Sequence, residues 1–97
     1  MSKKEVDGAA SEIKMSAVHR TDVKGVEDQY LISIEAPGEE PYQQNHRISS
    51  LLKEKAHMEE IIAAGEGGPR QESAERMLAS NGRRLDAVQQ AGGVIPA

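Results

Sequence analysis

The chain has 97 residues, enough for one domain, and at that length folding buries only about 60 to 65% of the surface the unfolded chain exposes. Without cysteine it can build neither a disulfide framework nor a thiolate metal site, and a formal net charge of −4 works against binding by general attraction to phosphate. No apolar run reaches the roughly 18 residues needed to cross a bilayer, and Met1-Ser2-Lys3-Lys4 leads into Glu5 and not into the apolar stretch of a secretion signal; a cytoplasmic location is expected.

Beyond Met1, residues 1–11 carry Val6 as their one large apolar side chain and read as a mobile tail. From Glu12, Ile13, Met15 and Ala17 alternate with Glu12, Lys14 and Ser16, the period of a half-buried strand. A second run, Gln29 to Glu35, is rich in β-formers, with Tyr30, Ile32 and Ile34 on one face. Asp22 and Gly25 supply turn chemistry between the two, so residues 12–36 form an antiparallel β-hairpin with a loose connection.

Ala36-Pro37-Gly38 stops the second strand, and Glu39-Glu40-Pro41 has the acidic and proline residues of a helix entrance. Ile48, Leu51, Leu52, Met58, Ile61 and Ile62 then recur on one side, which predicts a helix over 41–64. Gly65-Glu66-Gly67-Gly68 closes it, and Pro69 opens a second helix whose apolar stripe of Ala74, Met77, Leu78, Leu85 and Val88 passes over Asn81. Glycine costs about 1 kcal/mol relative to alanine within a helix, so Asn81-Gly82 is the expected place for a kink or fraying. Gly92-Gly93 ends the helix. The short loop makes the helices an antiparallel pair over 41–91. The fold class is α+β: an N-terminal β-hairpin followed by a two-helix hairpin, in one small domain over 12–97.

The core is thin. Ile13, Met15, Val18, Tyr30, Leu31, Ile32, Ile34, Ile48, Leu51, Leu52, Met58, Ile61, Ile62, Met77, Leu78, Leu85 and Val88 are its candidate members, and two Tyr with no Phe or Trp leave it without the largest packing residues.

The glycine loop lacks the Gly-Lys-Ser/Thr ending of a phosphate loop and carries Glu66 within the would-be cradle, so it reads as an interhelical turn. Glu54 and His57, three residues apart, give half of a carboxylate di-metal pattern without the other half, and no metal or other cofactor is expected. None of the three histidines has a nucleophile signature around it, so an enzyme is the unfavoured class. Arg70, Arg76, Arg83 and Arg84 form a basic strip on the second helix. It is either a solvated face paired with Glu72, Glu75 and Asp86 or a contact for an acidic partner, and the net charge favours protein over nucleic acid.

In its size, its acidic cysteine-free composition and the helical segment from about His46 to Gln90 interrupted at Gly67-Gly68-Pro69, the chain resembles the small accessory proteins of lambdoid temperate phages, in particular their anti-RecBCD proteins. The resemblance covers roughly half the chain and rests on no diagnostic motif. It implies a cytoplasmic protein that binds the host RecBCD helicase-nuclease through the RecC subunit and alters its processing of DNA ends. It also implies a host prolyl isomerase as a second partner at Gly68-Pro69. The expected function is thus a non-enzymatic protein-binding module, with Gly67, Gly68, Pro69, Arg70, Arg76, Arg83 and Arg84 as candidate contacts beside exposed faces of residues 48–62 and 77–88. The alternatives are a nucleic-acid binder using the arginine strip and the β-hairpin, and self-association into a helical bundle.

Overall fold

The computed structural model describes residues 13–96; the mobile tail expected over 1–11 lies outside them. Three strands, β1 (Lys14–His19), β2 (Gln29–Glu35) and β3 (Tyr42–Arg47), precede two helices, α1 (Ile48–Ala64) and α2 (Gly68–Gln90). The strands form one antiparallel sheet in the order β1-β2-β3. The α+β class, the β1–β2 hairpin and the helical hairpin are all present.

The register gives the sheet two different faces. Met15, Ala17 and His19 lie opposite Ile34, Ile32 and Tyr30, and these in turn lie opposite Tyr42, Gln44 and His46 on the side toward the helices. The outer side carries Ser16, Val18, Leu31, Ser33, Gln43 and Asn45. Val18 is consequently 62% exposed, and Ile13 and Met77, also expected in the core, are 44% and 45% exposed.

The first helix does not begin at Pro41. Residues 36–39 make a tight turn, in which Glu39 N–H donates to Ala36 C=O at 3.2 Å, and the returning chain pairs with β2 as β3. The polar sequence of β3 hides it from a periodicity argument: its first four residues are exposed on either face, so alternation of apolar and polar side chains is not required there. Helix α1 starts at Ile48, whose N–H donates to Asp28 C=O at 3.0 Å, while Ser49 N–H donates to the Asp28 carboxylate at 3.0 Å. The cap that the sequence lacks locally is supplied across the sheet.

The core joins Tyr30 and Ile32 of β2, Leu51 of α1, and Leu85 and Val88 of α2, with Met15, Ala17, Ile34, Ile48, Leu52 and Ile95 packed around them. Helix α2 lies chiefly over β1, and the β3 side of the sheet is left open. Leu51, Met58, Leu85 and Val88 are buried, so these parts of the helix faces expected to meet a partner are spent in the fold. Helix α2 also runs unbroken through Asn81-Gly82. Burial of Leu85 and Val88 beyond that point and the anchoring of Asn81 to α1 outweigh the cost of one glycine. No helix among the described residues is long and apolar enough to cross a membrane.

Candidate protein-binding surfaces

The far end of the helical hairpin is the first surface. Gly65 takes a left-handed conformation (φ 66°, ψ 26°) and its N–H donates to Ile62 C=O at 3.0 Å, ending α1. Gly67 and Gly68 follow with φ of 70° and 75°. A Cβ at either position would meet nothing within 4 Å, so backbone conformation and not space calls for glycine here. Gln71 Oε1 accepts the Gly67 N–H at 2.8 Å and fixes the turn to the first turn of α2. No cis peptide bond occurs among the described residues; Gly68-Pro69 is trans, and Pro69 lies in the first helical turn as expected.

Gly67, Gly68, Pro69 and Arg70 are thereby brought together, all exposed, at the tip. A hollow of about 200 Å³ lined by His57, Glu60, Ile61, Ala64, Glu66 and Arg70 adjoins them. The tip is therefore amphipathic, with the apolar Ile61 among charges of both signs. His57 belongs to this hollow while Glu54 faces the space between the helices, so the Glu54/His57 pair is divided.

The arginine strip is divided as well. Arg76 and Arg83, two turns apart, share one exposed line, whereas Arg70, Met77 and Arg84 follow another at about seven-residue intervals. Arg84 is half-buried and its Nη1 donates to Ser80 Oγ. It belongs to a second surface, a cleft of about 290 Å³ between β3, α1 and α2 lined by Gln44, His46, Glu54, Met77, Ser80 and Arg84.

In that cleft His46 Nε2 lies 2.7 Å from Gln44 Oε1; a carbonyl oxygen accepts, so Nε2 carries the proton. Partial burial, and then the Arg84 charge, hold the His46 imidazole below its ordinary pKa, opposed by Glu54. Asn81, fully buried, donates through Nδ2 to Leu51 C=O at 2.9 Å and to Glu54 Oε1 at 3.0 Å. The sequence signal for Asn81 was available as the one polar residue inside an apolar stripe. His46 carried none and Glu54 pointed only to His57, because His46 and Glu54 meet only once β3 is paired.

On the other edge strand, in the same cross-strand row as His46, His19 stacks on Tyr30 with ring centroids 4.7 Å apart and its Nε2 donates to Glu27 C=O at 2.7 Å. Arg20 pairs with Asp22 at 2.8 Å and reaches Asn45 at 2.9 Å, tying the β1–β2 loop to the outer side of β3. These contacts stabilise the loop and leave His19 with a structural role.

Comparison of the chain with models of known families, with curated proteins and with solved structures finds no match.

Proposed function

We propose that the chain is a non-enzymatic protein-binding module that inhibits or modulates a host enzyme complex, with the tip of the helical hairpin as its contact. The observation that supports this reading is the joint exposure of Gly67, Gly68, Pro69 and Arg70 on a turn fixed by its own hydrogen bonds. The 17 residues of α1 place this tip about 25 Å along the helix from the point where the chain leaves β3. A projecting element held in one conformation loses little freedom on binding, which favours recognition by another protein's cleft. Arg70 and Ile61 beside it offer a charge-assisted bond and an apolar anchor in the same footprint. A nucleic-acid role would draw on a continuous arginine line, and the turn of Arg84 into the cleft weakens that line.

The sequence resemblance makes RecBCD the complex to test. The chain and its Pro69→Ala and Arg70→Ala variants are titrated against purified RecBCD, reading binding by interferometry and degradation of linear duplex DNA. We expect the wild-type chain to bind and to suppress degradation, with binding nearly independent of salt. Pro69→Ala costs no more than roughly 1 kcal/mol of stability, since it acts mainly on the unfolded chain, yet weakens binding. Full binding by a Pro69→Ala variant of normal stability would reject the tip as the contact. Steep loss of affinity with salt would favour nucleic acid instead.

A further inference from the structure

The structure leaves β3 as an edge strand, and we propose that it pairs with β3 of a second copy of this chain. In this pairing the strands run antiparallel about a two-fold axis at Gln44 and join two three-stranded sheets into one of six strands. The inference concerns the sheet and is independent of the hairpin tip.

The main-chain direction of each β3 residue follows from one bond. Ile48 N–H donates to Asp28 C=O at 3.0 Å, and the register continues as His46↔Tyr30, Gln44↔Ile32 and Tyr42↔Ile34. Residues 42, 44 and 46 therefore turn their N–H and C=O groups toward β2, and Gln43, Asn45 and Arg47 turn theirs outward. Among the described residues none of these outward groups takes a main-chain bond outside the sheet, and no further strand pairs along that edge. Edge strands are ordinarily protected by central lysines, a proline or a bulge. β3 has none within it: Tyr42-Gln43-Gln44-Asn45-His46 is uncharged when His46 is neutral.

A two-fold axis perpendicular to the sheet keeps the helix-facing sides of both copies together and allows only registers in which a residue meets itself. With Gln44 opposite Gln44, the outward groups of Gln43 meet those of Asn45 in the other copy, so four main-chain bonds form. Tyr42, 54% exposed, comes opposite His46 of the other copy on the same side, an aromatic pair at each end of the interface. The charges complement each other as well. Arg47 at the end of β3 in one copy comes beside Glu39-Glu40, which precede β3 in the other, and no like charges are opposed along the strand. The register with Asn45 opposite Asn45 places Tyr42 against the start of α1 and removes Arg47 from Glu39-Glu40.

Sedimentation across a concentration series measures the association, and oxidative cross-linking of single-cysteine variants fixes the register. The native chain has no cysteine, so each introduced thiol reports alone. We expect a monomer–dimer equilibrium. Gln44→Cys forms a disulfide-linked dimer readily, because a non-hydrogen-bonded antiparallel pair holds Cα atoms about 4.5 Å apart, within disulfide reach. Gln43→Cys, which meets Asn45, does not. Gln43→Pro removes an outward N–H that the monomer does not use, together with an exposed side-chain bond from Gln43 Nε2 to Ser33 Oγ at 3.1 Å. Gln43→Ala, which removes only that side-chain bond, is the control, and relative to it Gln43→Pro weakens dimerisation at least about tenfold. A chain that stays monomeric up to about millimolar concentration, a dimer untouched by Gln43→Pro, or cross-linking at Asn45→Cys in preference to Gln44→Cys would each overturn the proposal.

Discussion

The buried side-chain amide of Asn81 in α2 donates to the main-chain carbonyl of Leu51 in α1 at 2.9 Å, pinning the helices together at the level of the core. The same nitrogen donates to Glu54 Oε1 at 3.0 Å, holding that carboxylate toward the cleft. Asn81→Ala abandons both acceptors and leaves a small void, so we expect a loss of about 1 to 3 kcal/mol. Chemical denaturation measures it, and a variant as stable as wild type would remove the amide from the account of helix pairing.

Asp28 joins the sheet to α1 by accepting Ser49 N–H at 3.0 Å and pairing with Arg47 at 2.9 Å. The Ser49 N–H chiefly, with Arg47 in support, holds its carboxyl below the ordinary carboxylate range. Asp28→Ala should cost about 1 kcal/mol at neutral pH, as loss of a helix cap does. Because the folded pKa is the lower one, this stabilisation is fully present above the unfolded value and disappears as pH falls through the folded value. The variant and wild type should therefore converge in stability in acid, a point that denaturation curves between pH 7 and 3 check.

His46 shifts stability with pH in the same direction. Its pKa is depressed in the fold, by burial first and Arg84 second, so the unfolded chain takes up the proton at higher pH than the folded chain. Stability should accordingly fall as pH drops below about 6.5, until folded His46 is protonated too. His46→Gln, which cannot titrate, should flatten the dependence between pH 7.5 and 5. An unchanged slope in that variant would assign the acid sensitivity elsewhere.

Leu51 and Leu85 meet in the core from the two helices. Leu51→Ala or Leu85→Ala should each cost about 2 to 5 kcal/mol, a large share of the stability of a domain this small. Thermal melting checks this, and wild-type melting temperatures in both variants would contradict the core assignment.

Gly93 is constrained by space. A Cβ there would lie 2.6 Å from Val88 Cγ1 and 2.9 Å from the Tyr30 hydroxyl oxygen, while the Gly93 N–H already donates to Val88 C=O at 2.9 Å. Gly93→Ala should cost about 1 to 3 kcal/mol by overpacking. The same substitution at Gly82, where a Cβ meets nothing within 4 Å, should stabilise α2 by about 1 kcal/mol; paired melting curves test the contrast.

Local chemistry alone determined much of this protein. Alternation placed β1 and β2, the run from Ile48 placed the body of α1, and the glycines with Pro69 placed the hairpin turn, because each depends on neighbours within a few residues. Tertiary structure decided the rest. Residues 42–47 follow a proline and two glutamates that suit a helix, and they became a strand because β2 supplied main-chain partners that no local pattern records. The start of α1 was set by Asp28 across the sheet. Asn81 is an interruption of an apolar stripe until α1 lies against it, when burial makes its hydrogen bonds count. Helical spacing already divides the arginine strip, with Arg76 and Arg83 on one line and Arg70 and Arg84 on another; packing decided only that Arg84 faces the β3 cleft. A sequence fixes which groups repeat on one helix or strand; which of them meet across elements depends on the layer that covers each face.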